Sequence, residues 1–90
     1  MGKSALTSSA TAEFWECFSA LPHQVQQAAR RKYALWRENP SHPSLHFKAL
    51  QEPLWSIRIS IAYRALGLRE ANHITWFWIG THAEYDRLIA

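Results

Sequence analysis

Ninety residues, 48% of them hydrophobic and five of them tryptophan, suffice for one domain with its own core and exclude a disordered tail. The formal net charge of +3 is mildly basic, which suits contact with nucleic acid or with an acidic protein and demands neither. No apolar run reaches the roughly 18 residues of a membrane span. Residues 1–7 lack the hydrophobic stretch of a secretory signal. A cytoplasmic protein with no membrane partner is expected, and the lone Cys17 reads as a packing residue.

Residues 1–10 are small and polar and read as a flexible N-terminal arm, leaving 11–90 as a single domain. Thr11 or Ser9 can cap a first helix whose buried stripe is Phe14, Trp15, Phe18 and Leu21. Pro22 suits the first turn of a second helix, with Val25, Ala28, Ala29, Tyr33 and Trp36 as its stripe. Asn39-Pro40 should stop it, because the residue before proline is pushed out of the α region. The two helices then form an αα-hairpin, with Arg30, Arg31 and Lys32 on or near its outer side as a solvated face or an RNA contact. Pro40–Pro43 is a loop, and Ser44–Leu50 reads as a short edge strand.

The segment Leu54–Leu66 organises the rest. Trp55, Ile57, Ile59, Ile61 and Tyr63 occupy one parity, and Ser56, Arg58, Ser60, Ala62 and Arg64 the other. Period two means β structure with one covered face and one open face. The length exceeds a typical strand of about five or six residues, so a turn near Ser60–Ala62 is expected. A second turn should lie around Gly67–Asn72. Ile74–Ile79, apolar on both parities apart from Thr75, reads as a central strand. Thr81 should cap a last helical turn with Tyr85 and Leu88 facing inward. The expected fold class is α+β, an αα-hairpin packed on a three- to four-stranded antiparallel sheet.

The chain has no glycine-rich phosphate loop, no CxxC and no HExxH. His42 and His46 are four apart, but Pro43 denies them a shared helix face, so neither a metal nor a cofactor is expected. What remains on or beside the sheet is Lys48, Arg58, Arg64, His82 and Tyr85. Cations can steady a phosphate, and a histidine can move a proton near neutral pH. Together these are the needs of RNA cleavage by 2′-hydroxyl attack. Arg58 can equally pair with Glu84 or Asp86, and His82 can serve only as part of a helix cap.

Five segments in order resemble the RelE/ParE toxin superfamily of bacterial type II toxin–antitoxin pairs. They are Leu-Pro-x-x-Val-Gln at 21–26, Asn-Pro-x-His-Pro-Ser-Leu-x-Phe-Lys-x-Leu at 39–50, Trp-Ser-x-Arg-Ile at 55–59, Tyr-Arg-Ala-Leu at 63–66 and Trp-Phe-Trp-Ile-Gly-Thr-His-x-Glu-Tyr-Asp at 76–86. The resemblance covers roughly residues 14–89 and implies two helices on an antiparallel sheet with a tight turn between the third and fourth of these segments. Members usually open with a strand, for which residues 1–10 show no pattern. The superfamily divides into RelE- and YoeB-like endoribonucleases, which cut mRNA mostly on the ribosome, and ParE-like proteins, which bind DNA gyrase. By resemblance Arg64 contacts the scissile phosphate, His82 acts as general acid, Tyr85 is the late tyrosine, and Arg58, Lys48 and His46 contact RNA. The glutamate that serves YoeB-like members as general base has no counterpart, since 42–46 reads His-Pro-Ser-Leu-His, so either His42 or His46 substitutes for it or no base is present. The resemblance therefore implies a toxin with a cognate antitoxin and with mRNA and the ribosome as partners. Its alternatives are a gyrase binder and a non-toxic fold relative.

Overall fold

The computed structural model describes residues 6–90. The chain runs β1 (Thr7–Ala10), α1 (Ala12–Ser19), α2 (His23–Glu38), a 3-10 turn (Pro43–Leu45), β2 (Lys48–Gln51), β3 (Leu54–Ser60), β4 (Tyr63–Glu70), β5 (His73–Thr81) and α3 (His82–Ile89). The sheet order is β1-β5-β4-β3-β2, with β1 parallel to β5 and the other pairs antiparallel.

The helical hairpin follows the expected local signals. The Thr11 hydroxyl accepts the Phe14 N–H at 3.1 Å and starts α1. Gln26 Nε2 donates to the Phe18 and Leu21 carbonyls at 3.0 and 3.3 Å, satisfying acceptors that the end of α1 leaves free. Pro22 caps α2, and Asn39 ends it. In the stripe of α1, Phe18 is buried, but Trp15 stays 48% exposed.

Beneath the hairpin the core gathers Phe18, Ala29, Trp36, Leu45, Ile57, Ile59, Ala65, Ile74, Trp76 and Ile79. Trp36 is its centre, with Tyr33, Phe47 and Trp76 rings at 5.9, 5.7 and 5.7 Å. Gly67 lies in β4 and not in a turn. A Cβ there would stand 2.7 Å from Ile74 and 2.8 Å from Trp76, so the glycine admits those side chains across the strand. The turn itself is Ala71-Asn72, with Ala71 at φ 53°.

Expectations at the two ends of the chain also need correction. Thr7–Ala10 is a strand, so the sheet has five strands and is mixed. Tertiary bonds hold that strand: the Thr7 N–H donates to the Asn72 carbonyl at 2.8 Å, and the His73 ring bridges the Thr7 and Ser9 hydroxyls at 2.8 and 2.9 Å. The first part of the expected arm, residues 1–5, lies outside the described residues. Leu88 is the second correction. Tyr85 faces inward as expected, but Leu88 is 57% exposed. Among the described residues no helix is long and apolar enough to cross a membrane.

Candidate functional site

β3 and β4 turn through Ile61-Ala62, and Ile61, expected on the covered parity, projects with 77% exposure. A register shift between Arg58 and Ser60 accompanies the turn, and Arg58 and Arg64 come to stand directly opposite each other. Ile57 and Ala65, one residue along, belong to the core beneath the helices. Period two therefore places the arginines on the other face of the sheet.

α3 crosses that other face. The His82 N–H donates to the Ala62 carbonyl at 2.8 Å, which ties the helix start to the β3–β4 turn. Thr81 and Glu84 form a capping box: Thr81 Oγ1 accepts the Glu84 N–H at 3.1 Å, and Glu84 Oε1 accepts the Thr81 N–H at 3.0 Å. The bonds from the Thr81 backbone and then its hydroxyl hold the Glu84 carboxyl below the usual carboxylate range. Tyr85 is buried and donates to Ser56 Oγ at 3.3 Å. Gly80 lets the helix sit close, because a Cβ there would stand 2.5 Å from the Trp78 ring and 2.8 Å from Glu84 Oε1.

Between α3, β2 and the β3–β4 pair lies a groove of about 310 Å³. His46, Lys48, Arg58, Arg64, His82 and Tyr85 all line it, so these candidate side chains meet there, whereas Arg30 lines the cleft on the opposite side. Ser56, Asp86, Leu50 and Ile89 complete the lining. Arg64 Nη1 donates to the carbonyls of Ser60, Ile61 and Tyr63, leaving Nη2 and Nε without a partner among the described residues. Burial, and then the Arg58 charge, push Arg64 below the ordinary arginine value, with Tyr85 and Asp86 opposing. It stays charged at neutral pH all the same.

The carboxylate expected beside Arg58 is elsewhere. Asp86 Oδ2 stands 3.0 Å from His82 Nδ1, the single ion pair among the described residues. Spacing i, i+4 on one helix was the available signal for that pair. The His82 ring also meets Tyr85 edge-on at 5.8 Å. His42 is occupied as well, since its Nδ1 stands 3.1 Å from the Ser44 N–H and 3.0 Å from the Ser44 hydroxyl. Among the described residues no three His, Cys, Asp or Glu cluster as metal ligands. A larger cleft of about 400 Å³ opens on the opposite side, between the helical hairpin and the sheet, with a mainly apolar lining that includes Phe14, Trp15, Phe18 and Trp76.

A family model described as the ParE-like toxin domain matches residues 23–87, a span that contains every groove residue except Ile89. The chain belongs to the ParE-like toxin domain family. Solved toxin structures share the fold of this toxin domain. The RelBE2 toxin–antitoxin complex of Mycobacterium tuberculosis matches at TM-score 0.68 and 16% identity, over 86% of this chain and 98% of that one. YafQ from E. coli matches at TM-score 0.67 and 10% identity, over 89% and 97%. A YoeB/ParE toxin from Agrobacterium tumefaciens matches at 0.64 and 12%, over 86% and 99%. At such identities the likeness is one of fold. No curated protein matches the chain.

Proposed function

We propose that this toxin domain is an endoribonuclease that cuts mRNA on the ribosome. The observation that carries the reading is the Arg58–Arg64 pair, two like charges directly opposite on neighbouring strands with no carboxylate bonded to either among the described residues. Such a pair destabilises a sheet when left alone. A phosphate lying between the two guanidiniums would offset that repulsion and accept bidentate bonds.

The chemistry follows from the groove. The 2′ oxygen attacks the adjoining phosphorus, the bond to the 5′ oxygen breaks, and the products are a 2′,3′-cyclic phosphate and a 5′-hydroxyl end. Arg64 holds the scissile phosphate through the guanidinium nitrogens that the turn carbonyls do not use, and Arg58 and Lys48 steer the flanking backbone. His82 protonates the leaving oxygen from Nε2. Its Nδ1 lies on Asp86, an arrangement suited to a ring that starts with protons on both nitrogens. Tyr85, anchored on Ser56 and against the imidazole, positions His82.

The partner that restrains this activity is a cognate antitoxin. RelE of Pyrococcus horikoshii, which shares the fold at TM-score 0.65 and 9% identity over 87% of this chain, was solved in complex with RelB. An acidic segment that folds on binding suits the net charge of +3 and the apolar cleft beside the hairpin.

The test maps 5′-hydroxyl ends of transcripts shortly after induction, for wild type beside Arg64→Ala and His82→Ala. New ends within coding frames that vanish in both variants are expected, with melting temperatures recorded because Arg64 also braces the turn. Growth arrest with DNA damage and no new ends would replace the ribonuclease with a gyrase binder.

A further inference from the structure

Cleavage by 2′-hydroxyl attack sets a geometric condition besides a phosphate clamp and a proton donor. The attacking 2′ oxygen, the phosphorus and the leaving 5′ oxygen must fall in line. In a stacked strand the 2′ oxygen points well away from that line. The two nucleotides that flank the scissile phosphate must therefore be turned apart before the new bond can form.

The turn between β3 and β4 offers the means. Its first residue, Ile61, is the most exposed large apolar side chain among the described residues. A lone exposed isoleucine is ordinary on a protein surface, although a two-residue turn such as this one between Ser60 and Tyr63 favours Gly, Asn or Asp. What separates Ile61 is how its backbone is held. Arg64 Nη1 donates to the Ile61 carbonyl at 3.4 Å, and to the carbonyls of Ser60 and Tyr63. The Ala62 N–H donates to Ser60 Oγ at 3.3 Å, and the Ala62 carbonyl accepts the His82 N–H at 2.8 Å. The tip is thus fixed to the guanidinium of the clamp and to the first residue of α3. A β-branched side chain adds little rotamer freedom of its own. The result is a stiff apolar prong beside the groove.

We propose that Ile61 is a wedge that enters the RNA strand on the leaving side of the scissile phosphate and turns that base out of the stack. The inference rests on the ribonuclease reading. His82 protonates the leaving 5′ oxygen and is bonded to Ala62, so the nucleotide that carries this oxygen is the one the turn meets. Apolar side chains inserted between bases unstack them in this way. Ile61 takes no part in the chemistry; it is a positioning residue that brings the 2′ oxygen into line while Arg64 holds the phosphate. Its side chain has no polar atom with which to read a base edge, so it acts on any base.

Single-turnover cleavage at saturating protein would be measured for wild type and Ile61→Ser on ribosome-bound mRNA, intact or with an abasic nucleotide immediately 3′ of the cleaved bond. The side chain is exposed and the bonds that hold the turn do not use it, so the variant should melt as wild type does. Ile61→Ser is expected to cut the intact strand about tenfold or more slowly, while both proteins cut the abasic strand at equal rates. With no base to turn out, the wedge has nothing to do. Equal rates on the intact strand overturn the proposal and leave the ribonuclease reading intact. A deficit of the same size on both strands overturns it too, and assigns Ile61 to a protein contact or to the turn itself. So does an abasic strand that wild type leaves uncut while it cuts the intact one. A wild-type protein that cuts neither strand overturns both readings.

Discussion

On the helix-covered side of the sheet, Ile57, Ile59, Ala65 and Trp76 pack into the core with Trp36. One residue along the same strands, Arg58 and Arg64 face each other over a groove. Both sides hold polar groups that lack partners among the described residues. The core leaves the indole N–H groups of Trp36 and Trp76 unbonded. Each such group costs about 1–3 kcal/mol. A buried tryptophan contributes more, on the order of 4–6 kcal/mol from some 150–250 Å² of surface. The core therefore tolerates its orphans because area outweighs them. The groove has no such compensation, and the facing guanidinium charges of Arg58 and Arg64 weaken the sheet. Alternate residues of the same strands thus build a packed core on one side and a charged groove on the other.

The largest expected effect falls on the core. Trp36→Ala should cost about 3–5 kcal/mol, read as a lowered urea midpoint. A cost under about 1 kcal/mol would mean that the aromatic cluster does not centre the core. Gly80→Ala attacks the other side through packing alone, since its Cβ would collide with Trp78 and Glu84. A loss of about 1–3 kcal/mol is expected together with loss of cleavage, because α3 carries His82. A variant with full activity would show that α3 need not sit where Gly80 allows.

A smaller effect concerns the capping box. The carboxyl of Glu84 is held below its ordinary value in the folded state. Its contribution is therefore present above the unfolded carboxylate range, near pH 4.3, and is lost as pH falls through the lower folded value. Wild type and Glu84→Gln should differ in melting temperature at pH 7 and converge in acid; a constant gap would contradict the linkage. The smallest effect has the opposite sign. Arg58→Gln removes one of two like charges and should leave stability unchanged or raise it by up to about 1 kcal/mol, while slowing cleavage at least tenfold. If the same variant melts lower, Arg58 has a stabilising partner and the division between the faces is less sharp.

Much of this was legible in the sequence because local chemistry decided it. Thr11 and Thr81 cap their helices, Pro22 opens α2, and the alternation through 54–66 gives β3 and β4. For the two arginines the turn preserved the face assignment, since they lie an even six positions apart and the register shift absorbs the bend, while Ile61 fell in the turn itself. β1 was hidden because Thr-Ser-Ser-Ala has no apolar alternation, and its pairing depends on residues near 73. Gly67 misled in another way. The glycine resembles punctuation, yet its role is to admit Trp76 and Ile74. At the site the residue types were readable, while their partners were not. In the sequence Asp86 reads as a partner for Arg58, whereas the i, i+4 spacing within α3 gives it to His82.

The parallel pairing of β1 with β5 also sets a schedule. β1 leaves the ribosome first, and its sheet partner begins at His73, which Thr7 meets across 66 residues of chain. Closing so long a loop comes late in folding. His82 follows directly after that same strand. The edge of the sheet and the helix that closes the groove are therefore completed by the same stretch of translation, and a chain that stops before His73 has neither.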